Sequence, residues 1–407
     1  MLYISYDGLT DPLGQSQILP YVIGLSKKGY QFELISCEKP DRFEAYKGNI
    51  ETICRENNIN WHPLSYHKKP PVLSTIRDSN SIKKLAFQLH AEKPFDIVHC
   101  RSYISSITGL ALKKKHNVKF IFDMRGFFAD ERVDGNLWNL SNPLYNIIYR
   151  YFKTMEATYV QFADHIVSLT SSGKKIMEGW PLLKYQDKIT VIPCSADMDL
   201  FDRKNLDEGK IQALKNEINN DLIVGYYGSL GTWYMMEEML DQFNSILHKY
   251  PKARLLVVTK DEWTNEHDSM LRKRNIKRNQ VVLRSSERNQ MPYYMAATDV
   301  GLFFIKPCYS KQASSPTKHG EMMGVGLPLI ANRGIGDVDE IIESTHSGYI
   351  VDDFITAEYN KATESIPGIL KIPKDTIRNG ALEIYSLEKA VDTYYGIYKK
   401  ITSGKKR

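Results

Sequence analysis

The sequence has no long hydrophobic run. Its longest apolar stretches, such as residues 327–331, are far shorter than the roughly 20 residues that cross a bilayer, so we expect no transmembrane helix. Residues 1–6 carry neither a basic segment nor a small-residue cleavage site, which argues against a secretory signal. We therefore expect a cytoplasmic protein.

Cysteine is scarce and scattered. The five cysteines in a chain of 407 residues form no CxxC pair, so we expect neither a disulfide framework nor a zinc site. The sequence also lacks HExxH, GxSxG, P-loop and protein-kinase motifs, which excludes the most common hydrolases and phosphotransferases. Lone histidines such as His99, His165 and His319 favour structural roles. We expect no metal ion and no cofactor.

Charge of one sign is not concentrated in a large block. The net charge is +6, and it is spread over short clusters at residues 113–115, 272–274 and 405–407. A solvated surface is the simplest interpretation, and attraction to anionic lipid headgroups or to a phosphorylated acceptor is the alternative. No basic face interleaved with aromatic residues is present, so we expect no nucleic-acid partner.

The length and composition predict two globular domains. The chain of 407 residues exceeds the roughly 250 to 300 residues at which a single core stops growing. Its 42% hydrophobic and 25% charged residues are typical of globular proteins. Two domains of similar size follow from these numbers.

Short β-branched or aromatic runs alternate with longer segments of helical period in both halves, which predicts parallel sheets wrapped in helices. The predicted strands of the first half are residues 2–6, 31–37, 96–100, 119–123, 165–169 and 189–193. Those of the second half are residues 222–227, 254–259, 280–283, 300–305, 328–331 and 349–351. Predicted helices include residues 16–28, 103–115, 143–164 and 388–401.

The domain boundary is predicted in residues 202–220, which are polar and contain no apolar run. This gives a Rossmann-like domain at 1–202, a second one at 203–385, and a C-terminal helix at 386–407 that packs back on the first domain. The predicted fold class is α/β, with two doubly wound domains in tandem. Because ligands bind at the carboxyl ends of the strands in such sheets, we expect the site in a cleft between the domains.

The first loop, residues 7–16, joins a strand to a helix and contains two glycines. Glycine allows close backbone approach, and a helix that opens at Ser16 would favour an anion, so Gly14 and Gln15 are candidates for phosphate contact. A purely structural turn explains the loop equally well. The pattern is not GxGxxG, which disfavours a dinucleotide.

Residues 123–132 hold several ionisable side chains directly after an apolar strand. This position favours a site, in which Asp123 or Asp130 could orient an acceptor hydroxyl and Arg125 could hold a phosphate. A solvated cluster of salt bridges is the alternative.

Residues 225–233 form the matching turn of the second half and contain three glycines. Gly228 and Ser229 could admit the phosphates of a ligand to exposed amides, and Thr232 could cap the following helix. Any Rossmann-like half needs such a turn for steric reasons, so both interpretations stay open.

The strongest pattern lies in residues 314–328, between two predicted strands. Pro316 suits the first turn of a helix, and Lys318 adds a positive charge there, so a diphosphate would fit at this helix start. Hydroxyl groups for the free N–H groups of the helix come from Ser314, Ser315 and Thr317.

Glu321 lies three residues after Lys318, on nearly the same helix face. Its carboxylate could accept hydrogen bonds from the two hydroxyls of a ribose. An ordinary Lys–Glu pair on a helix is the alternative.

Together these residues resemble the retaining family-4 glycosyltransferases of bacterial cell-surface polysaccharide synthesis. The resemblance rests on residues 11–17 (DPLGQSQ), 123–126 (DMRG), 195–201, 316–321 (PTKHGE) and 326–328 (GLP). It implies the GT-B fold, in which two Rossmann-like domains face each other across a cleft. It also implies sugar transfer from a nucleotide sugar, with UDP favoured over GDP, to a glycan or polyprenyl-linked acceptor, with peripheral contact at the inner face of the plasma membrane.

The sequence departs from the family pattern at two places. Glu321 resembles the second glutamate of the family's E-x7-E element, which binds the donor ribose, whereas Ala313 stands in place of the first glutamate. The family's arginine and lysine after the first strand of the second domain are missing from residues 228–234. Lys311 and Lys318 are the candidates to replace them.

The implied chemistry is departure of a nucleoside diphosphate while an acceptor hydroxyl attacks. Positive potential from Lys318 and Lys311 would stabilise the leaving diphosphate without a metal ion. The resemblance implies retention of configuration, by a front-face displacement, with the acceptor handled by Asp123, Arg125 and Asp130. Two alternatives remain: a sugar-nucleotide 2-epimerase on the same fold, and a non-catalytic partner subunit.

Overall fold

A computed structural model of the chain describes residues 1–181, 186–218 and 221–403. They form two compact units, Met1–Pro193 together with the C-terminal segment that begins at Leu387, and Cys194–Ser386. The basic cluster at residues 405–407 lies outside the described residues.

The second unit begins at Cys194, earlier than the boundary predicted at residue 202. The residues just before 202 belong to the second core, since Phe201 is fully buried there and Ala196 forms a parallel bridge with Ser386. The polar residues that suggested a boundary form a short 3-10 helix and an α-helix of the second unit.

The first unit is built on a parallel sheet with helices on its connections. Its strands are β1 (Leu2–Ser5), β2 (Phe32–Glu38), β3 (Ile59–Ser65), β4 (Ile97–Arg101), β5 (Lys119–Asp123), β6 (His165–Ser168) and β7 (Ile189–Val191). They are arranged in the order β3-β2-β1-β4-β5-β6-β7. The helices are α1 (Pro12–Gln17), α2 (Leu19–Lys27), α3 (Pro40–Glu56), α4 (Leu73–Glu92), α5 (Ser102–His116), α6 (Phe128–Asp134), α7 (Pro143–Phe162) and α8 (Ser171–Glu178).

The second unit repeats this architecture. Its strands are β8 (Ile223–Tyr227), β9 (Arg254–Val258), β10 (Val281–Arg284), β11 (Val300–Phe303), β12 (Leu329–Asn332) and β13 (Gly348–Val351), in the order β10-β9-β8-β11-β12-β13. The helices are α9 (Glu208–Ile218), α10 (Met236–Lys249), α11 (Asn265–Lys273), α12 (Met291–Ala296), α13 (Thr317–Gly324), α14 (Val338–Thr345), α15 (Thr356–Ile369) and α16 (Lys374–Ile384). Short 3-10 helices lie at Gln186–Lys188, Arg203–Asn205, Arg278–Gln280 and Tyr309–Ala313.

Every predicted strand is present, because the central strands of a parallel sheet are covered on both faces and read as apolar runs. All residues of β8 and β12 are buried, for example. Strand β3 was not predicted. It is an edge strand with mostly half-exposed residues and a proline, Pro63, so it has no apolar run to reveal it.

The helix α17 (Leu387–Thr402) belongs to the first unit. Its buried face carries Val391, Tyr394 and Tyr398, which join the core formed by the first strands. Val391 contacts α2 at Gly24, where a Cβ would come within 2.6 Å of the valine side chain. Among the described residues, no helix is both long and apolar enough to cross a membrane.

The register of the first sheet brings functional side chains to its carboxyl edge. Ser5 at the end of β1 pairs with Arg101 at the end of β4, and Arg101 pairs with Asp123 at the end of β5. In a parallel sheet these ends share one edge, on which the connecting loops also lie.

Arg378 of α16 fastens the entry into the second unit. Its guanidinium donates hydrogen bonds to the carbonyl oxygens of Phe201 (3.1 Å), Gly324 (2.7 Å) and Met198 (2.9 Å), and to the Asp202 carboxylate (2.8 Å). The planar guanidinium of arginine presents five N–H donors in a fixed fork, so it can serve these four acceptors at once.

We expect Arg378→Met to lower the free energy of unfolding by about 2 kcal/mol, because part-buried carbonyl groups lose their donor. For a unit of this size that corresponds to a fall in the apparent Tm of about 4–8 °C. Arg378→Lys should recover only a small part of the loss. The matched control is Arg272→Met on the exposed face of α11; equal melting temperatures for the two methionine variants would contradict this account.

Candidate functional site

The carboxyl ends of β1 and β4 flank the point at which the strand order of the first sheet reverses. Arg101 is buried there, donates a hydrogen bond from Nη1 to the carbonyl of Gln17 (3.1 Å), and has Nε 3.8 Å from an Asp7 carboxylate oxygen. Such a reversal leaves a crevice at the strand ends, which is the usual ligand position in open α/β sheets. Arg101 therefore ties the first loop to this crevice.

Asp123, a predicted acceptor residue, is buried at the neighbouring strand end. Its Oδ2 accepts a hydrogen bond from the Tyr394 hydroxyl (3.1 Å) and lies 3.4 Å from His99 Nε2, while Oδ1 is 3.8 Å from Arg125 Nη1. Burial acts to raise the pKa of Asp123, but Arg125 and the contact with His99 outweigh it, so the pKa is lowered. The carboxylate is ionised and held by its neighbours.

His99 is a fixed neutral partner of Asp123. Burial lowers the pKa of His99, although the Asp123 carboxylate acts in the opposite direction. The ring Nδ1 lies 2.6 Å from the Tyr398 hydroxyl. The structural role that we predicted for this histidine agrees with these contacts.

The turn after β5 sets the position of the Arg125 side chain. Arg125 and Gly126 both have positive φ angles, 58° and 111°. Two successive residues in the left-handed region make a sharp reversal, which glycine adopts without a steric cost. The Arg125 side chain thereby stays beside Asp123 at the strand end.

Asp130 has different partners. Its carboxylate accepts hydrogen bonds from the Tyr149 hydroxyl (2.9 Å) and from Lys153 Nζ (2.8 Å), both on α7. Burial acts to lower the pKa of Lys153, but the carboxylates of Glu156 and Asp130 raise it. The structure thus places Asp130 against α7, whereas Asp123 contacts β4 and α17.

The first loop is shaped by buried hydrogen bonds and by a close backbone approach. The buried Glu38 carboxylate accepts hydrogen bonds from the backbone amides of Leu9 (2.8 Å) and Thr10 (3.0 Å). At Gly14 a Cβ would lie 2.0 Å from the carbonyl oxygen of Gly8, so no side chain fits. Gln15 Nε2 donates to the Thr10 carbonyl (3.0 Å). Phosphate contact by Gly14 and Gln15 stays a prediction, and the structure gives both residues a part in shaping the loop.

The predicted helix opening at Ser16 is wrong. The helix α1 begins at Pro12, whose missing N–H suits a first helical position, and Ser16 lies inside it. The Ser16 hydroxyl donates to the Pro12 carbonyl (2.8 Å) rather than standing at a helix start.

In the second unit, α13 begins at Thr317, and Pro316 precedes it as the N-cap rather than lying in the first turn. No side chain caps this helix start, so the predicted hydroxyl caps are wrong. Ser315 Oγ instead accepts a hydrogen bond from the Cys194 amide (3.1 Å). The positive end of α13 is thus left without a side-chain cap.

Glu321 lies at the centre of a charge cluster. Its side chain is 1% exposed, and it accepts hydrogen bonds from Lys318 Nζ (2.6 Å) and Arg288 Nη1 (3.2 Å). A buried carboxylate needs such partners, because leaving it unpaired costs several kcal/mol, roughly 3–5. The Lys318–Glu321 pair that was the alternative interpretation is formed, and Arg288 makes the cluster cationic overall. Contact of Glu321 with a ribose stays a prediction.

Lys311 reaches the glycine turn of the second unit. Its Nζ lies 3.7 Å from the centre of the Trp233 ring, although the lysine is buried. Trp233 accepts a hydrogen bond at its carbonyl from the Lys306 amide (2.8 Å), which fastens the turn after β8 to the end of β11. Since β8 and β11 flank the strand-order reversal of the second sheet, Lys311 is a cation at that reversal.

The turn itself offers fewer open amides than predicted. The Gly228 amide donates to the Val258 carbonyl (3.1 Å), and the Leu230 amide donates to an Asp261 carboxylate oxygen (2.7 Å). The Ser229 carbonyl accepts a hydrogen bond from the Tyr226 hydroxyl. The cap predicted for Thr232 is wrong, because α10 begins only at Met236 and Met235 is its N-cap.

Sequence reasoning missed several residues of these clusters. Arg288 follows β10 within a short cationic stretch, and its position after a strand was a usable signal. Tyr394 and Tyr398 lie on the predicted C-terminal helix, whose amphipathic spacing indicates packing and gives no sign of hydrogen bonds to Asp123 and His99. Within residues 1–181, 186–218 and 221–403, no group of three or more His, Cys, Asp or Glu side chains could hold a metal ion.

His319 of α13 is buried beside this region. Its Nδ1 lies 2.9 Å from the Tyr385 hydroxyl, and its Nε2 has no hydrogen-bond partner in the described part of the chain. Burial lowers the pKa of His319 to about 3. The predicted structural role fits a histidine that stays neutral in the folded protein.

Two family models match the chain. The model described as Glycosyltransferase Family 4 matches residues 20–200, and the model described as Glycosyl transferases group 1 matches residues 208–379. The two matches follow one another along the chain and correspond to its two units.

Relatives and solved structures agree with these matches. The capsular polysaccharide biosynthesis glycosyltransferase CapM of Staphylococcus aureus is 22% identical over 341 residues, which cover 79% of this chain and 83% of CapM. An uncharacterized glycosyltransferase of Methanocaldococcus jannaschii is 23% identical over 67% of this chain, which spans only 63% of that relative. The crystal structure of Anabaena HepE with UDP and glucose has a TM-score of 0.69 at 12% identity and covers 98% of both chains. The fold is therefore GT-B.

The neutral His319 makes stability depend on pH. Between the unfolded pKa of 6.5 and the folded pKa of about 3, the unfolded chain binds a proton that the folded chain excludes. Stability therefore falls as the pH falls through this window, by about 1.4 kcal/mol per pH unit for this residue. We expect His319→Gln to flatten the slope of unfolding free energy against pH by that amount, measured by urea denaturation between about pH 6 and pH 4.

The control for this slope is His248→Gln, since His248 is exposed on α10. An unchanged slope in the His319 variant would show that the histidine titrates normally in the folded protein.

Proposed function

We propose that this chain, which belongs to the family 4 type of GT-B glycosyltransferases, transfers a sugar from a nucleoside diphosphate sugar to an acceptor hydroxyl. The observation that carries the proposal is the pairing of Lys318 and Arg288 with the buried Glu321, in connections that follow strands of the second sheet, as does Lys311 at Trp233. Three cations and an uncapped helix start together suit a diphosphate.

The donor proposed is a uridine diphosphate sugar rather than a guanosine diphosphate sugar. Support comes from HepE, whose structures contain UDP and UDP-glucose. Glu321 is the proposed ribose ligand, because a carboxylate can accept further hydrogen bonds while it holds Lys318 and Arg288. In this arrangement Glu321 also fixes both cations in place for the phosphates.

The acceptor proposed is a hydroxyl of a glycan or of a polyprenyl-linked sugar in cell-surface polysaccharide synthesis. CapM supports this class, since it is a capsular polysaccharide biosynthesis glycosyltransferase. On the first unit, Arg125 and Arg101 are proposed to contact the acceptor. Asp123 is proposed to position Arg125 through their contact.

In the proposed reaction, the bond between the anomeric carbon and the β-phosphate oxygen breaks as the acceptor oxygen bonds to that carbon on the same face. The acceptor proton passes to the departing phosphate oxygen, and the anomeric configuration is retained. Negative charge grows on the diphosphate, so cations already fixed in place stabilise the transition state more than the substrate. The proposal assigns this work to Lys311, Lys318 and Arg288 and includes no metal ion.

We expect Lys311→Ala, Lys318→Ala and Arg288→Ala each to weaken UDP binding by about tenfold or more, because each removes a charged contact to phosphate. Glu321→Gln should weaken it too, since both neighbouring cations lose their anchor. Isothermal titration of UDP and GDP gives the affinities. Lys273→Ala, an exposed lysine of the same unit, is the control. Unchanged UDP affinity in all four variants would refute the donor site.

Incubation with the donor alone separates the proposed reaction from its two rivals. We expect the nucleotide sugar to persist until an acceptor is added, because the sugar can be transferred only to an acceptor hydroxyl. Conversion of the donor into its C2 epimer, followed by NMR, would identify an epimerase. Absence of any nucleotide binding would identify a non-catalytic subunit.

A further inference from the structure

The turn that follows β8 has no cation of its own. Residues 228–234, which we call the β8 turn, contain no lysine and no arginine. The turn nevertheless lies at the carboxyl end of β8, beside the reversal of strand order between β8 and β11. This is the usual position of a ligand in an open α/β sheet. A cation that faces a diphosphate at this turn therefore has to come from another segment.

Lys311 supplies a cation to the β8 turn through Trp233. The distance from Lys311 Nζ to the centre of the Trp233 ring is 3.7 Å. Of the cation–ring contacts in the described structure this is the shortest, and the next, between Lys399 and Tyr395, measures 4.5 Å. Lys311 is only 6% exposed, so the contact is shielded from water, where the attraction between a cation and an aromatic ring is strongest.

The backbone around Trp233 is fixed against the end of β11. Tyr234 forms an antiparallel bridge with Ile305, and the Met235 amide donates a hydrogen bond to the carbonyl of Phe304 (3.0 Å). These contacts directly follow Trp233 in the chain. The tryptophan therefore cannot shift far without breaking backbone hydrogen bonds.

The shape of the β8 turn is also imposed from below. The Tyr226 hydroxyl donates a hydrogen bond to the Ser229 carbonyl, and the Tyr226 and Tyr234 rings meet edge to face at 5.6 Å. Thr232 has a φ of 55°, a strained value for a β-branched residue. Such strain persists only where the surroundings impose it. Trp233 follows directly on this strained residue.

The backbone of Lys311 is fixed as well. Its carbonyl accepts a hydrogen bond from the Gly336 amide (2.8 Å), and Gln312 Nε2 donates to the Gly334 carbonyl (3.0 Å). Both bonds join the 3-10 helix Tyr309–Ala313 to the connection that follows β12. The lysine chain thus extends from one fixed segment to a ring on another.

We propose that Trp233 is a positioning residue of the donor site, whose ring holds the Lys311 ammonium where the diphosphate binds. The inference rests on the proposed function, since it takes a diphosphate as the ligand. An indole ring attracts a cation through its quadrupole but carries no net charge. The ring therefore fixes the ammonium without adding a negative charge that would repel the phosphates.

A role in packing alone is the competing explanation for Trp233, because its side chain contacts the core of the second unit. A packing role and a positioning role differ in which ligands they affect. Loss of packing weakens the binding of every ligand of the site, whereas displacement of Lys311 weakens only ligands that carry phosphate. The test therefore compares UDP with uridine, which has no phosphate.

The test uses the full chain and isothermal titration with UDP, with uridine measured by competition. We expect Trp233→Leu to weaken UDP binding about fivefold, because the Lys311 ammonium loses its ring. Uridine affinity should change by less than about twofold. Trp233→Phe should weaken UDP binding only about twofold, because a phenyl ring still attracts a cation but less strongly than indole.

A double-mutant cycle shows whether the ring acts through the lysine. Lys311→Met removes the ammonium and keeps a straight apolar side chain at this buried position. Trp233→Leu, added to Lys311→Met, should weaken UDP binding by less than about twofold further, because the group that the ring holds is already gone. Additive losses would show that the two residues act independently.

The matched control is Trp263→Leu. Trp263 also packs against the core of the second unit and has the Arg278 guanidinium 5.6 Å from its ring centre. The same substitution there should leave UDP affinity unchanged. Circular dichroism verifies that each variant is folded, and Trp233→Phe carries the test should the leucine variant not fold.

Unchanged UDP affinity in Trp233→Leu overturns the inference. Equal weakening of UDP and uridine also overturns it, as does an effect of Trp233→Leu that persists in full with Lys311→Met. Lys318→Ala and Arg288→Ala test the diphosphate site without either residue. Weaker UDP binding in those two variants but not in Trp233→Leu refutes the inference alone, whereas unchanged affinity in every variant refutes the proposed donor site and the inference with it.

Discussion

The pairing of the buried Glu321 carboxylate with Lys318 and Arg288 is the interaction on which the chemistry proposed for the second unit depends. A carboxylate removed from water must have cationic partners, so its burial dictates where two positive charges are held. Those partners are part-exposed, and their remaining N–H groups can face a ligand. The same carboxylate therefore stabilises the fold and fixes the two cations to which the proposed function assigns the diphosphate.

The parallel arrangement of the strands explains why charged residues lie close together at one edge of each sheet. Every strand of each sheet runs the same way, so the loops that follow the strands meet at one edge regardless of their distance in sequence. In the first unit this brings Arg101, Asp123 and Arg125 together, and in the second it brings Lys311 to Trp233. In both units, buried side chains fix the charged ones, which limits how far they must reorganise when a ligand binds.

The fold was predictable because buried parallel strands are apolar runs separated by helical segments, and the central strands were all located from that pattern. Strand β3 was not predicted, because an edge strand with Pro63 has no such apolar run. The Lys318–Glu321 pair was predictable, since helix spacing places the two side chains together. Arg288, Tyr394 and Tyr398 were not, because they reach their partners only through tertiary packing. Family resemblance directed attention to residues 316–321, but the family's arginine and lysine were absent, and only the structure locates Arg288.

The return of α17 to the first unit has a consequence for how the protein is made. The tyrosines that contact Asp123 and His99 lie on α17, which follows the whole second unit, although the strands that carry Asp123 and His99 precede that unit. During synthesis the second unit can therefore reach its finished form before the first one does. The apolar face around Tyr21 and Val22 stays uncovered until α17 has been synthesised.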